Sequence, residues 1–186
     1  MTTPLYKKYH LSKPKNISYI KGDIVSVIDA TINNRSSVAS NFLIPECYSL
    51  DSRDDSKFAH TIFELLPQLK INLDMYCLSG AKNYGTVQFV EIPNVNGKNF
   101  GKIIFANMIC KKHSKNYRSL DYIALSKTME SVCSYLNKNR KNELDDINII
   151  TTKFGCGKSG GEWNFIEKLI EDAWANYNVQ VYYGSH

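Results

Sequence analysis

The chain has 186 residues, of which 43% are hydrophobic and 22% charged, long enough for one hydrophobic core and too short for two full domains. Lysine plus arginine (23) exceed aspartate plus glutamate (18) for a formal charge of +5. That balance falls short of an arginine-rich nucleic-acid binder and attracts nucleotides and other polyanions alike. Five cysteines, at positions 47, 77, 110, 133 and 156, form no CxxC pair and no Cys/His cluster, so a structural metal is not expected and a reduced, cytoplasmic protein is. No apolar run reaches about 18 residues and no apolar stretch follows the basic N-terminus, so no membrane span or leader is expected. The abundance of Lys, Asn and Ile suggests an AT-rich coding sequence of the kind common in phages and low-GC bacteria.

Residues 1–16 are polar and basic and predict an arm whose order depends on docking. One domain is expected over 17–186. Ile17-Ser18-Tyr19-Ile20 alternates as a half-buried strand should, and Lys21-Gly22-Asp23 is a turn signal. The apolar stretch Ile24–Ile28 leads into a polar segment, 29–40, expected to be an inserted surface loop. Asn41–Ile44 predicts a short buried strand ending at Pro45. From Ser56, the spacing Phe58/Ala59, Ile62/Phe63, Leu66 predicts a helix with Pro67 near its end. Tyr84–Ile92 and Lys102–Cys110, separated by turn-forming residues, predict a hairpin. Ser119 is the expected N-cap of a helix in which Tyr122, Leu125, Met129, Val132 and Leu136 recur at steps of three and four. Ile147–Ile150 predicts a buried strand, Phe165–Trp174 a helix with one apolar face, and Val179–Tyr182 a last strand. Strands alternating with helices imply an α/β fold, a three-layer α/β/α sandwich with a mixed central sheet, whose ligands bind beyond the carboxyl ends of strands.

The strongest chemical signal lies between the last two strands: Lys153-Phe154-Gly155-Cys156-Gly157-Lys158-Ser159-Gly160-Gly161. It matches GxGxxG and contains the Gly-Lys-Ser that closes a Walker A loop. A Walker A loop needs glycine where this chain has Thr152, and too little chain follows Ser159 for a nucleotide hydrolase. A dinucleotide fold needs an acidic residue at the end of the next strand, and Val179–Tyr182 carries none. What remains is an anion site or a ligand-free turn. Glycines admit a close backbone approach to phosphate, the helix N-terminus offers free N–H groups, and Lys158 favours the anion reading.

This strand, loop and helix, through Glu162 and Trp163, resemble the last third of a macrodomain, the ADP-ribose-binding fold. The resemblance is to the branch of ADP-ribose-1″-phosphate phosphatases and terminal ADP-ribose protein glycohydrolases. Tyr19-Ile20-Lys21-Gly22-Asp23-Ile24 is similar to the family's first motif, which implies that Asp23 accepts from the adenine amino group and the Ile24 backbone completes the base contact. Pro45-Glu46-Cys47-Tyr48-Ser49-Leu50-Asp51 resembles the strand end and first phosphate loop, placing Cys47, Ser49 and Asp51 among ligand-binding residues with Gly155, Cys156, Gly157, Lys158, Ser159 and Gly160. Tyr182 and Tyr183 either flank the adenine or pack as core and rim. The implied ligand is ADP-ribose or a related nucleotide, with no cofactor.

The chain departs from the pattern in two places. Asp54-Asp55-Ser56-Lys57 stands where relatives carry glycines around the pyrophosphate, so repulsion and bulk oppose the usual pose, partly offset by Arg53 and Lys57. Lys111 falls where the glycohydrolase-like branch carries its attacking lysine, while Ser159 replaces the assisting aspartate, and a hydroxyl is no carboxylate at neutral pH. Glu46 takes the place of a histidine found in phosphatase-like members and acts as a base only if burial raises its pKa. The expected function is therefore ADP-ribose binding, with hydrolysis of ADP-ribose-1″-phosphate or ADP-ribosyl esters through Lys111 or Glu46. The alternative is a non-enzymatic, degenerate macrodomain that binds a protein or RNA partner, such as a phage host-takeover protein. Surface or loop roles are expected for His60 and His113, small-residue packing for the thiols of Cys47 and Cys156, and a loop-packing role for Trp163.

Overall fold

Every residue of the strand Ile103–Lys111 is buried, the signature of a strand covered on both faces, and the rest of the molecule is arranged around it. The computed structural model describes residues 16–33, 40–51, 56–93, 101–112, 119–139 and 147–184. In chain order the elements are β1 (Ile17–Lys21), α1 (Ile24–Ile32), β2 (Asn41–Ser49), α2 (Lys57–Leu65), α3 (Pro67–Leu78), β3 (Val87–Ile92), β4 (Ile103–Lys111), α4 (Tyr122–Asn139), β5 (Ile147–Thr151), α5 (Trp163–Ala173) and β6 (Asn178–Tyr183). The sheet order is β1-β6-β5-β2-β4-β3. All neighbours pair in parallel except the β3–β4 hairpin.

Alternation along β2 and β4 sorts the core into two layers. Phe42, Ile44, Ile103 and Phe105 face α1, α2 and α3, while Leu43, Ile104, Ala106 and Met108 face α4 and α5. The expected α/β/α sandwich with a mixed sheet is therefore the observed architecture. Among the described residues no helix is long and apolar enough to cross a membrane.

Four local expectations differ from the structure. The strand that starts at Asn41 does not stop at Pro45 but runs to Ser49. Pairing with β5 ends at Leu43, so Pro45 lies where one side of the strand has no ladder to interrupt, and the Thr151 hydroxyl donates to its carbonyl at 3.3 Å. Residues 29–32, expected in the loop, complete α1, whose buried Ile24, Ile28 and Thr31 form one stripe; positions 34–39 lie outside the described residues. Pro67 opens α3 rather than closing α2, because proline is suited to the first helical turn. The buried stripe of α3 is only Leu69, Leu73 and Cys77.

The fourth is the cap of α4. Asp121, not Ser119, accepts from the Ile123 and Ala124 N–H groups at 2.9 and 3.1 Å. The Ala124 N–H, followed by the Lys112 ammonium and the Tyr84 hydroxyl, holds the Asp121 carboxyl below its ordinary range. A carboxyl lowered on folding stabilises fully above the ordinary carboxylate pKa, and that contribution fades as pH falls through the lowered value. We expect Asp121→Ala to cost about 1 kcal/mol near neutrality. Paired urea titrations of wild type and variant should show the gap closing in acid; a gap unchanged by pH would remove the charge from the account.

Candidate functional site

Because five strands run parallel, the carboxyl ends of β1, β6, β5, β2 and β4 lie along one edge of the sheet, in that order. Asp23 follows β1, Tyr182 is near the end of β6, the glycine loop follows β5, Glu46 to Asp51 lie on or just past the end of β2, and Lys111 ends β4. At about 4.8 Å per strand, the four spacings from β1 to β4 make a track roughly 19 Å long.

The glycine loop is a short 3₁₀ turn, Gly157–Ser159, between two closures. The Gly160 N–H donates to the Gly157 carbonyl and the Gly161 N–H to the Gly155 carbonyl, both at 3.0 Å. Its glycines do different work. A Cβ on Gly161 would stand 2.4 Å from the Gly155 carbonyl oxygen and 2.7 Å from a Leu120 methyl, and one on Gly155 would be 3.1 Å from the same methyl. These two face inward. Gly157, at φ 72°, has nothing within 4 Å of the place a Cβ would take and is the outward glycine, open to an approaching phosphate. Phe154 anchors the loop, buried at 2% exposure, edge-on to Trp163 and tilted against Trp174. Trp163 also donates to the Tyr19 hydroxyl at 2.6 Å, which itself donates to Glu167 at 2.7 Å, and Lys153 lies over its ring at 5.8 Å. At the start of α5 the N-cap Glu162 makes no side-chain cap bond, while its N–H donates to the Tyr122 hydroxyl at 2.8 Å.

A cleft of about 70 Å³ opens beside this loop, lined by Glu46, Ser56, Lys111, Thr152, Lys153, Phe154, Gly155, Cys156, Lys158 and Ser159. The structure thus brings together both ionisable candidates, Glu46 and Lys111, with four loop residues expected at the site. Glu46 is 3% and Lys111 7% exposed, and ionisable groups this deep are uncommon unless paired or employed. Three lysines and one carboxylate give the cleft a positive balance.

The other candidates do not line it. Asp23 caps α1, accepting from Val25 and Ser26 N–H at 3.1 and 3.2 Å and from the Ser26 hydroxyl at 2.7 Å, so an adenine amino group would share an already occupied carboxylate. Ile24 is 1% exposed with its side chain in the α1–sheet core, which leaves its backbone for any base contact. Tyr182 packs at the border of that core. The Ser49 hydroxyl donates to Asp51. Cys47 is fully buried on the α4 side, and burial, with a hydrogen bond to Cys110, pushes its thiol well up. Burial also raises the Cys156 thiol, against the opposing pull of Lys153. Neither is an activated nucleophile. His60 sits exposed, 3.6 Å from Glu64. Residues 52–55, with Arg53, Asp54 and Asp55, and His113 lie outside the described residues.

Sequence reasoning missed four lining residues: Ser56, Thr152, Lys153 and Phe154. Ser56 had a signal, since its side chain caps α2 by accepting from the Ala59 N–H at 3.1 Å and so sits at a helix N-terminus. The other three follow directly on strand β5, which ends at Thr151.

No protein-family model and no curated protein matches the chain. Solved structures do. A macrodomain protein from Streptomyces coelicolor matches with TM-score 0.64 at 20% identity, covering 91% of this chain and 99% of that one. The macrodomain of Mycobacterium tuberculosis DarG matches with TM-score 0.65 at 14% identity, over 91% and 98%. Thermosipho africanus DarTG, solved in complex with ADP-ribose, matches with TM-score 0.61 at 13% identity, over 91% of this chain and 42% of that one.

Proposed function

We propose, from a chain with the macrodomain fold, that the carboxyl edge of the sheet binds ADP-ribose or a closely related adenine nucleotide. The observation that carries this is the cleft itself, where Glu46 and Lys111 meet Lys158, Ser159 and the glycine loop. The track of roughly 19 Å suits an extended ligand with a base at one end and a sugar at the other. In this pose the adenine lies by Asp23, the Ile24 backbone and Tyr182. The pyrophosphate lies over Gly157 and Lys158, where an outward glycine and a cation favour it. The distal ribose enters between Glu46 and Lys111. The fold shared with part of DarTG, a protein solved in complex with ADP-ribose, supports the ligand class.

Hydrolysis of ADP-ribose-1″-phosphate or of an ADP-ribosyl ester is the finer reading. Lys111 and Glu46 are the two groups with the chemistry for it, one to attack or stabilise charge at the ribose, the other to exchange a proton.

Calorimetry with ADP-ribose tests the binding claim: saturable heat is expected, and none at about millimolar ligand would overturn it. For the enzymatic claim, Lys111→Ala should lower turnover by at least about 100-fold. Unchanged turnover would remove the lysine from the mechanism.

A further inference from the structure

Three contacts of different kinds meet at Leu120, a residue that does not line the cleft. Its backbone forms a β-bridge with Lys111 at the end of β4. Its N–H donates to the Ser159 carbonyl at 3.1 Å, in the turn that carries Lys158. Its side chain fills the space left by the inward glycines, with one methyl 3.1 Å from where a Gly155 Cβ would stand and 2.7 Å from where a Gly161 Cβ would. The residues on either side hold it in place. The Lys112 N–H donates to the Ser119 carbonyl at 2.6 Å and the Asp121 N–H to the Cys110 carbonyl at 2.9 Å, and Lys112 pairs with Asp121 at 3.1 Å.

The sheet itself gives no such connection. Lys111 ends β4 and the glycine loop follows β5, and β2 lies between these strands with its pairing to β5 ending at Leu43–Ile149, so no ladder joins the lysine directly to the loop. Leu120 reaches past β2 and touches both sides. We propose that Leu120 is a positioning residue that fixes the glycine loop relative to Lys111, so that a ligand spanning both meets groups already in place; this rests on reading the cleft as an ADP-ribose site. The glycines at 155 and 161 are then required by a leucine packed against them as well as by any phosphate. Removing the leucine methyls leaves backbone on one side and a void on the other, since glycine has no side chain to refill it. The loop is then ordered at the expense of binding free energy, and only for ligands that use it.

The test compares Leu120→Ala, Leu120→Met and wild type by NMR-monitored titration with adenosine and with ADP-ribose. For Leu120→Ala, adenosine affinity is expected within about twofold of wild type and ADP-ribose affinity about tenfold lower. Leu120→Met, which restores bulk and apolarity, should recover most of that loss. Equal loss for both ligands, or no loss for ADP-ribose in a folded variant, would overturn the proposal. Amide exchange gives a reading that needs no ligand: in Leu120→Ala the Gly160 and Gly161 N–H groups should exchange faster while the Ile170 N–H in α5 does not change. Failure of the wild type to bind ADP-ribose, with this exchange pattern still seen in Leu120→Ala, would refute the ligand assignment and leave the positioning role standing; unchanged exchange at the two glycines would refute the positioning role.

Discussion

Replacing Trp174 with alanine is expected to lower the unfolding free energy by about 4 kcal/mol, within the range of roughly 3–5 found for large aromatic truncations. Trp174 is fully buried at the point where α5 ends, and three parts of the molecule meet at this residue, two of them at its indole. Its Nε1–H donates to the Met129 carbonyl of α4 at 3.0 Å, its ring lies 6.1 Å from that of Phe154, and its own carbonyl accepts from the Asn16 side chain at 2.7 Å. Alanine would open a cavity that helices anchored elsewhere cannot close. Urea unfolding measures it: the midpoint should fall with the slope unchanged. A loss below about 1.5 kcal/mol would mean that α4 and α5 relax into the space. Because Phe154 leads straight into the glycine loop, the variant should also lose ligand affinity at temperatures where it is still folded.

Gly161→Ala carries the second large effect. The new Cβ would stand 2.4 Å from a backbone oxygen and 2.7 Å from a leucine methyl, and backbone cannot swing aside as a side-chain tip can. Overpacking of this kind costs about 2–3 kcal/mol. Gly157→Ala is the matched control. It has no neighbour within 4 Å but keeps a left-handed backbone, φ 72°, so it should cost about 1 kcal/mol. The stability order Gly161→Ala below Gly157→Ala below wild type, read by thermal unfolding, separates steric closure of the loop from conformational preference. The reverse order of the two variants would show that the left-handed turn, not the inward packing, limits the loop.

What was legible in the sequence was local. Strand alternation in Ile17–Ile20, the two apolar runs that pair as β3 and β4 and the glycine loop after a buried run are patterns of neighbouring residues, and each gave an element of the right type. The two proline boundaries failed because proline is ambiguous in one dimension. Whether Pro45 ends a strand depends on whether β5 is still paired beside it, and Pro67 opens a helix whose stripe of three buried residues is too thin to stand out. The candidate site divides in the same way. Cys156, Lys158 and Ser159 stood out in the glycine loop and Glu46 and Lys111 were named through the macrodomain resemblance, and the five share one cleft. Leu120 was not identifiable, because its contacts with Gly155, Ser159 and Gly161 are made across more than thirty positions by an apolar side chain and a backbone N–H, neither of which carries a chemical signature.

The place of β6 has a consequence for how the molecule is made. Among the described residues β1 pairs with β6 alone, with Ile17 opposite Val179, and β6 fills the gap between β1 and β5. β1 therefore waits for a strand made much later in the chain. Until residues 178–183 leave the ribosome, Tyr19 and Ile20 have no ladder to join, and the turn at Asp23 is not fixed to the rest of the edge. Such separation in sequence slows folding, since a long chain must close before its contacts are gained. The end of the track at Asp23 would then take shape only after β6 has paired, and after the glycine loop has been set between α4 and α5.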